Sequence, residues 1–214
     1  MRVLFGGHLK TREQIDSPGR TRRRGDDLVR AIHAAVLGEL AAVGLGRMTM
    51  EGIARRAGTA KTSLYRRWPS PHDVLLDAIA REHPQEVPSP SADDLRGDLI
   101  RALGQLVAWL ETPTAAAVAA IMAERRRHPE LARALYERVF DARGGRFTLT
   151  VLRHYAARGR IDPGRLTPVV ADIGEALVFK LALDADAAPN EQQLAAIVDQ
   201  AILPAVGLGP GGPR

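Results

Sequence analysis

The sequence predicts an all-α protein of about nine helices, with a small N-terminal three-helix head followed by a larger helical body. Three observations carry that expectation. Hydrophobic residues fill 45% of the 214 positions while Phe, Trp and Tyr reach only 4%, so the patterning of sandwiches and barrels is missing. Apolar residues recur at spacings of three and four through most of the chain, as on the buried stripe of an amphipathic helix. Proline, glycine and capping residues punctuate those stretches.

Residues 1–24 show no periodicity, carry Gly6-Gly7 and Pro18-Gly19, and end in the cluster Arg20, Arg22, Arg23 and Arg24; they read as a flexible basic arm. From Asp26 a first helix presents Leu28, Ile32, Ala35, Val36 and Leu40 on one stripe until Gly44 and Gly46 stop it. Thr49 offers an N-cap oxygen to a short second helix whose Ile53, Ala54 and Ala57 face inward, and Gly58 ends it. A third short helix covers about 60–67. Ser70-Pro71-His72-Asp73 opens a fourth, with a Ser cap, Pro at the first helical position and an acid near the positive dipole end.

Pro84, Pro88 and Pro90 mark the joint between head and body. Beyond it, helical patterns cover 92–111, 114–127, 129–158, 168–183 and 191–206. Thr167-Pro168, and Asn190 with Gln193 three residues on, mark the last two starts. The expected organisation is thus an arm (1–24), a head (25–80), a body (91–206) and a disordered tail (207–214).

The formal charge of +5 is unevenly placed: residues 1–80 hold 14 Lys and Arg against 8 Asp and Glu, the remainder 16 against 17. Cationic density in the first third suits a phosphate-binding head, because polyanion binding is driven by counterion release. Of the 30 basic residues 27 are Arg, which a GC-rich genome would also produce, so charge alone does not decide. The absence of cysteine excludes disulfide frameworks, zinc ribbons and thiol nucleophiles. Val3-Leu4-Phe5 is too short for a signal-peptide core, and no apolar run approaches the roughly 18 residues of a membrane span. The expectation is a cytoplasmic protein with no membrane partner. The six His never fall three or four apart, so neither metal nor other cofactor is expected. No Walker loop, GxSxG, HExxH or GxGxxG is present, and the reading is not an enzyme. Arg125-Arg126-Arg127-His128 is a second basic run, at a predicted helix C-terminus where the dipole favours cations.

Two short helices joined by a Gly-containing turn and packed on a longer first helix make a helix-turn-helix, whose second short helix lies in the major groove of DNA. The matching residues are Met48-Thr49-Met50-Glu51-Gly52-Ile53-Ala54, Ala57-Gly58, Lys61-Thr62-Ser63-Leu64-Tyr65-Arg66-Arg67-Trp68-Pro69-Ser70 and Val74-Leu75-Leu76. In this register the chain resembles the TetR family of transcriptional regulators, in detail over 25–80 and beyond that in helix number, order and length. The resemblance implies a sequence-specific DNA-binding regulator, by family default a repressor that a small-molecule effector releases from its operator. The alternatives are an activator or a low-specificity DNA-binding protein, or an enzyme or carrier with an appended DNA-binding head.

On the third helix Leu64 and Trp68 share the inner side with Ala60, while Lys61, Thr62, Tyr65 and Arg66 face outward. The resemblance implies Lys61, Thr62 and Tyr65 as base readers, and Thr49, Ser63 and Arg67 as phosphate contacts that set register. The family commonly has Ser where Ala60 stands, so the recognition helix lacks its side-chain cap, at about 1 kcal/mol, unless Thr59 supplies one. A Lys common where Pro71 stands is also missing, with His72 the nearest substitute. The basic arm either contacts DNA, as homeodomain arms do, or is a solubilising tail.

A homodimer is expected through the last two predicted helices, with Val169, Ile173, Ala176, Leu177 and Lys180 on one stripe and Leu194, Ile197, Val198, Ala201 and Ile202 on the other, forming a four-helix bundle with their symmetry mates. Two-fold symmetry implies a near-palindromic double-stranded operator. An effector site is expected inside the body, lined by Trp109, Met122, Phe140, Phe147 and Tyr155, with Tyr155 orienting an apolar or amphipathic molecule. Gly144-Gly145 interrupts the 129–158 pattern, which suggests a bend or a close approach there.

Overall fold

A computed structural model describes residues 25–84, 94–140, 147–185 and 187–209. The arm, most of the proline-rich joint, Gly144-Gly145 and the last five residues lie outside them. Every regular element among the described residues is helical.

Helix α1 (Gly25–Val43) buries Ile32, Ala35, Val36 and Leu40 of its predicted stripe, with Val29 buried at its start where Leu28 was expected and Leu28 half-buried. Helix α2 (Met50–Ala57) starts where the Thr49 hydroxyl accepts the Gly52 N–H at 3.0 Å, and ends where Gly58 takes the left-handed conformation at φ 64°. Helix α3 (Lys61–Tyr65) is five residues long, and its N-cap, Ala60, makes no side-chain cap bond. Helix α4 (Pro71–Glu82) begins with the Ser70 hydroxyl accepting the Asp73 N–H.

In the body, α5 (Leu95–Leu110) is capped by Asp94 and α6 (Pro113–Ala123) by Thr112, two residues before the start read from the sequence. Arg125 donates to the Met122 carbonyl at 2.8 Å, so that basic run does satisfy a helix end. The long helix expected over 129–158 is instead α7 (Pro129–Leu135), a π turn at Tyr136–Phe140, and α8 (Phe147–Ala156). A π turn closes i→i+5 bonds and shifts the register of every side chain beyond it, which a 3.6-residue periodicity cannot anticipate. Helix α9 (Pro168–Ala185) follows. The last helix, opened by the expected Asn190–Gln193 capping box, runs as α10 (Glu191–Ile197), a second π turn at Val198–Ile202, and α11 (Leu203–Ala205).

Two apolar cores result. One joins α1–α4 to Ala117, Ile121, Leu131, Leu135 and Val139 of the body, so α4 is buried against α6 and α7 as well as against α1. The other unites α5, α8 and α10 with Val178 of α9. Val118 of α6 packs against both. No single helix among the described residues is long and apolar enough to cross a membrane.

The second core leaves no room for a side chain at Gly174. A methyl there would meet Ile202 Cδ1 at 2.9 Å, Thr148 Cγ2 at 3.0 Å and Leu103 Cδ2 at 3.1 Å, on three different elements. Gly174→Ala should cost roughly 1–3 kcal/mol by overpacking. Gly104→Ala, in α5 with nothing within 4 Å of the added carbon, should gain up to about 1 kcal/mol from helix propensity. Denaturant unfolding of both variants checks this, and equal stabilities would refute it.

Candidate nucleic-acid interface and the cavity behind it

Five residues without a side-chain cap cannot form a stable helix alone, so the attitude of α3 is set by what anchors it. Leu64 is fully buried. Trp68, just beyond α3, is 6% exposed and its Nε1 donates to Asp77 Oδ2 of α4 at 3.0 Å. The same carboxylate oxygen accepts from His33 Nε2 of α1 at 3.1 Å. Burial lowers the His33 pKa although Asp77 pulls it upward, and because a carboxylate oxygen can only accept, Nε2 is the donor.

This anchoring leaves one outward face. Lys61, Thr62, Tyr65, Arg66 and Arg67 are exposed, with Tyr65 at 50%, and Ser63 is half-buried. Lys61 ion-pairs with Glu51 of α2 and lies 5.4 Å from the centre of the Tyr65 ring, so it is held over the helix rather than trailing in solvent. Thr49 is exposed, and its hydroxyl keeps a proton to donate while it caps α2. Ala60, expected on the inner side, is exposed, because the chain is still extended there and the α3 face begins one residue later. His72 does not replace the missing lysine: its ring meets His128 of the body at 5.8 Å, and burial, reinforced by His128, lowers its pKa.

The opposite end of α4 enters a second site. His83, which follows α4 and is 4% exposed, lies 5.3 Å from the Trp109 ring, 5.3 Å from Phe140 and 5.5 Å from Phe147. These rings border a cavity of about 480 Å³ walled also by α6, the first π turn and α9. Of the five residues expected to form an effector site, Trp109, Met122, Phe140 and Phe147 line it. Tyr155 does not. Its side chain is fully buried, its hydroxyl donates to Asp98 Oδ2 at 2.8 Å, and burial together with that carboxylate pushes its pKa up to about 12. Sequence reasoning missed His83, Tyr136, Phe179, Asp172 and Glu175 on the wall. The helix over 168–183 is expected from the sequence to help bound the site as well as to form an interface, and α9 does stand on the wall, while His83 carries no local signal beyond that of a surface or packing histidine. The aromatic residues at 136 and 179 were the available signal.

The expected dimer stripes also need correction. Leu194 and Ile197 are 5% and 6% exposed and belong to the core of their own chain, because α10 packs on α5. Ile173 and Ala201 are half-buried, and Leu177 is 36% exposed. The apolar surface lies on α9, where Val169 is 72%, Phe179 47% and Leu183 82% exposed.

Residues 32–80 match the family model described as bacterial regulatory proteins, tetR family, and residues 89–201 match that of the tetracyclin repressor-like C-terminal domain. An uncharacterized HTH-type transcriptional regulator of Mycobacterium bovis is 28% identical over 163 residues, covering 76% of this chain and 80% of that protein. A solved TetR family transcription regulator has the same fold, with a TM-score of 0.60 at 24% identity, over 82% of this chain and 97% of its own. The flavonoid-responsive regulator FrrA gives 0.57 at 23% identity, over 84% and 97%.

His33, which is buried, and His72, which is half-buried, make the head acid-sensitive. In the unfolded chain they take up protons near pH 6.5, but in the fold their lowered pKa values resist it. Stability is therefore untouched by them at higher pH and falls as pH drops below about 6.5 towards the folded values. The paired carboxylates Asp73 and Asp199, held below their ordinary value, act only lower, below about pH 4. We expect a lower thermal midpoint at about pH 5 than at about pH 7.5, followed by circular dichroism. An equal or higher midpoint in acid contradicts the assignment.

Proposed function

The chain belongs to the TetR family, and from that premise we propose that it is a dimeric repressor whose hold on its operator is released by a small molecule in the body cavity. As a member of that family it is a DNA-binding transcriptional regulator with a helix-turn-helix head. Family members are transcriptional regulators, not enzymes.

The observation that carries the reading is the placement of α4. Asp77 ties it to Trp68 behind the recognition helix, and His83 at its end stands in the cavity wall. A second tie runs from the cavity side: Arg138, in the π turn that places Tyr136 and Phe140 on the wall, donates to Asp73 Oδ1 in the first turn of α4 at 2.6 Å. A ligand that displaces the π turn or His83 therefore pulls on the helix to which α3 is fastened.

On the DNA side, Lys61 donates to guanine O6 and N7, Thr62 to base edges, and the Tyr65 ring meets a thymine methyl. Thr49, Ser63, Arg66 and Arg67 hold phosphates and set register. The dimer forms through the α9 face of Val169, Ile173, Leu177 and Leu183. It places two α3 helices on a near-palindromic site, in half-sites about 34–36 Å apart or a multiple of that. The effector is apolar or amphipathic, as the aromatic wall requires.

Tyr65→Ala and Lys61→Ala should each cost roughly 1–3 kcal/mol of specific binding, the second with relaxed base preference, whereas Arg67→Ala should weaken all sequences alike and flatten the salt dependence. Fluorescence anisotropy with competitor DNA across a salt series reads all three. Full operator affinity in both Tyr65→Ala and Lys61→Ala would show that α3 is not the reading helix.

Val169→Asp combined with Leu177→Asp should give a folded monomer in sedimentation at micromolar concentration. A dimer that survives both changes rejects the α9 interface.

A further inference from the structure

We propose that Glu51 is a specificity-determining residue of the DNA interface: its carboxylate holds the Lys61 ammonium over α3 and away from phosphate, so that Lys61 is kept for a base while binding to all other sequences is weakened. This rests on the reading of Lys61 as a base reader.

Glu51 stands in the first turn of α2, two residues beyond Thr49, and Lys61 is the first residue of α3. Spacing within α2 offers Glu51 a local partner, Arg55, one helical turn further on. Among the described residues its carboxylate pairs instead across the turn, with Lys61. Lys61 and Tyr65 are four residues apart on one face of α3, and the ammonium lies 5.4 Å from the centre of the Tyr65 ring. The ammonium is thus held by a carboxylate on α2 and a ring on α3, and all three side chains are exposed.

An exposed ion pair adds little to folding stability; its larger effect falls on a polyanion brought against it. From Thr49 to Arg67, Glu51 is the one acid, set among Arg55, Arg56, Lys61, Arg66 and Arg67. A carboxylate in that place repels every phosphate alike. A lysine by itself is a flexible point charge that any phosphate satisfies. Were Lys61 to move to a phosphate, it would leave Glu51 unneutralised beside the phosphate contact of Thr49. When it gives two of its three N–H groups to guanine O6 and N7, the third stays with the carboxylate. Specificity is a difference of affinities, and a charge that opposes every sequence but is offset on the right one enlarges that difference.

The full chain and its Glu51→Gln, Glu51→Asp and Lys61→Ala variants are each used to enrich a pool of random-sequence duplexes, and each is titrated with one duplex of arbitrary sequence across a salt series. Glu51→Gln should bind the arbitrary duplex at least about threefold more tightly, and its log affinity should fall with log salt more steeply, by about one in slope, as one more phosphate is engaged. At the base pair where Lys61→Ala erases the preference for guanine, Glu51→Gln should reduce that preference by about fivefold, and Glu51→Asp, which keeps the charge, should retain most of it. Arbitrary-sequence binding no tighter in Glu51→Gln than in the unaltered chain, or a guanine preference left whole in that variant, overturns the proposal. If Lys61→Ala still erases the preference, Lys61 stands as a base reader and only the role of Glu51 falls. A base preference that survives Lys61→Ala removes both readings together.

Discussion

The Asp77 carboxylate is the point on which the head depends. One of its oxygens accepts from Trp68 behind α3 and from His33 of α1, so three helices meet at a single acceptor carried by α4. A helix as short as α3, begun at an alanine that offers no cap, takes its orientation from that anchorage rather than from its own hydrogen bonds. Removing the Asp77 carboxylate would take the acceptor from two groups in buried side chains, the His33 and Trp68 ring N–H, which costs more than the bonds contribute. The reading face is therefore only as fixed as α4 is.

What fixes α4 is the body. The core of the head does not close on itself; it continues through Ile121 of α6 and Leu131 and Leu135 of α7. The second core lies on the far side of the cavity, and α6 serves both through Val118. The cavity thus occupies the seam between the two packed units, lined from one side by His83 and the π turn and from the other by α5, α8 and α9. Packed cores resist gradual deformation and shift between discrete arrangements, so a molecule wedged into the seam acts on both at once. Arg138 and Asp73 give the displacement a direct polar route into α4.

Local chemistry made the head legible from the sequence. Thr49, Gly58, Ser70 and Pro71 each state a backbone requirement within a few residues, and the structure meets each of them. Asp77 was not legible, because its partners lie 9 and 44 residues away and only the tertiary fold brings them together. In the body, large aromatic residues in an alanine-rich chain pointed to the cavity, and four of the five expected residues reach it. Tyr155 shares the α8 stripe with Phe147 but lies two turns further along the helix, where its hydroxyl meets Asp98 of α5 instead of the cavity. The stripe of α10 was apolar for a reason the pattern could not separate from dimerisation: Leu194 and Ile197 cover their own core.

If the proposed function holds, the state of the cavity sets the position of the two recognition helices. The chain contains no cysteine, so a single Arg55→Cys on the exposed side of α2 gives one spin label per head. The distance between labels, measured by pulsed electron resonance with the cavity empty and then filled by an operator-releasing ligand, tests that claim most directly. The labels should lie at a defined separation compatible with heads about one DNA turn, or a multiple, apart, and that separation should change by several ångströms on filling. An identical distribution in both states, under conditions where the ligand does release the operator, would contradict it.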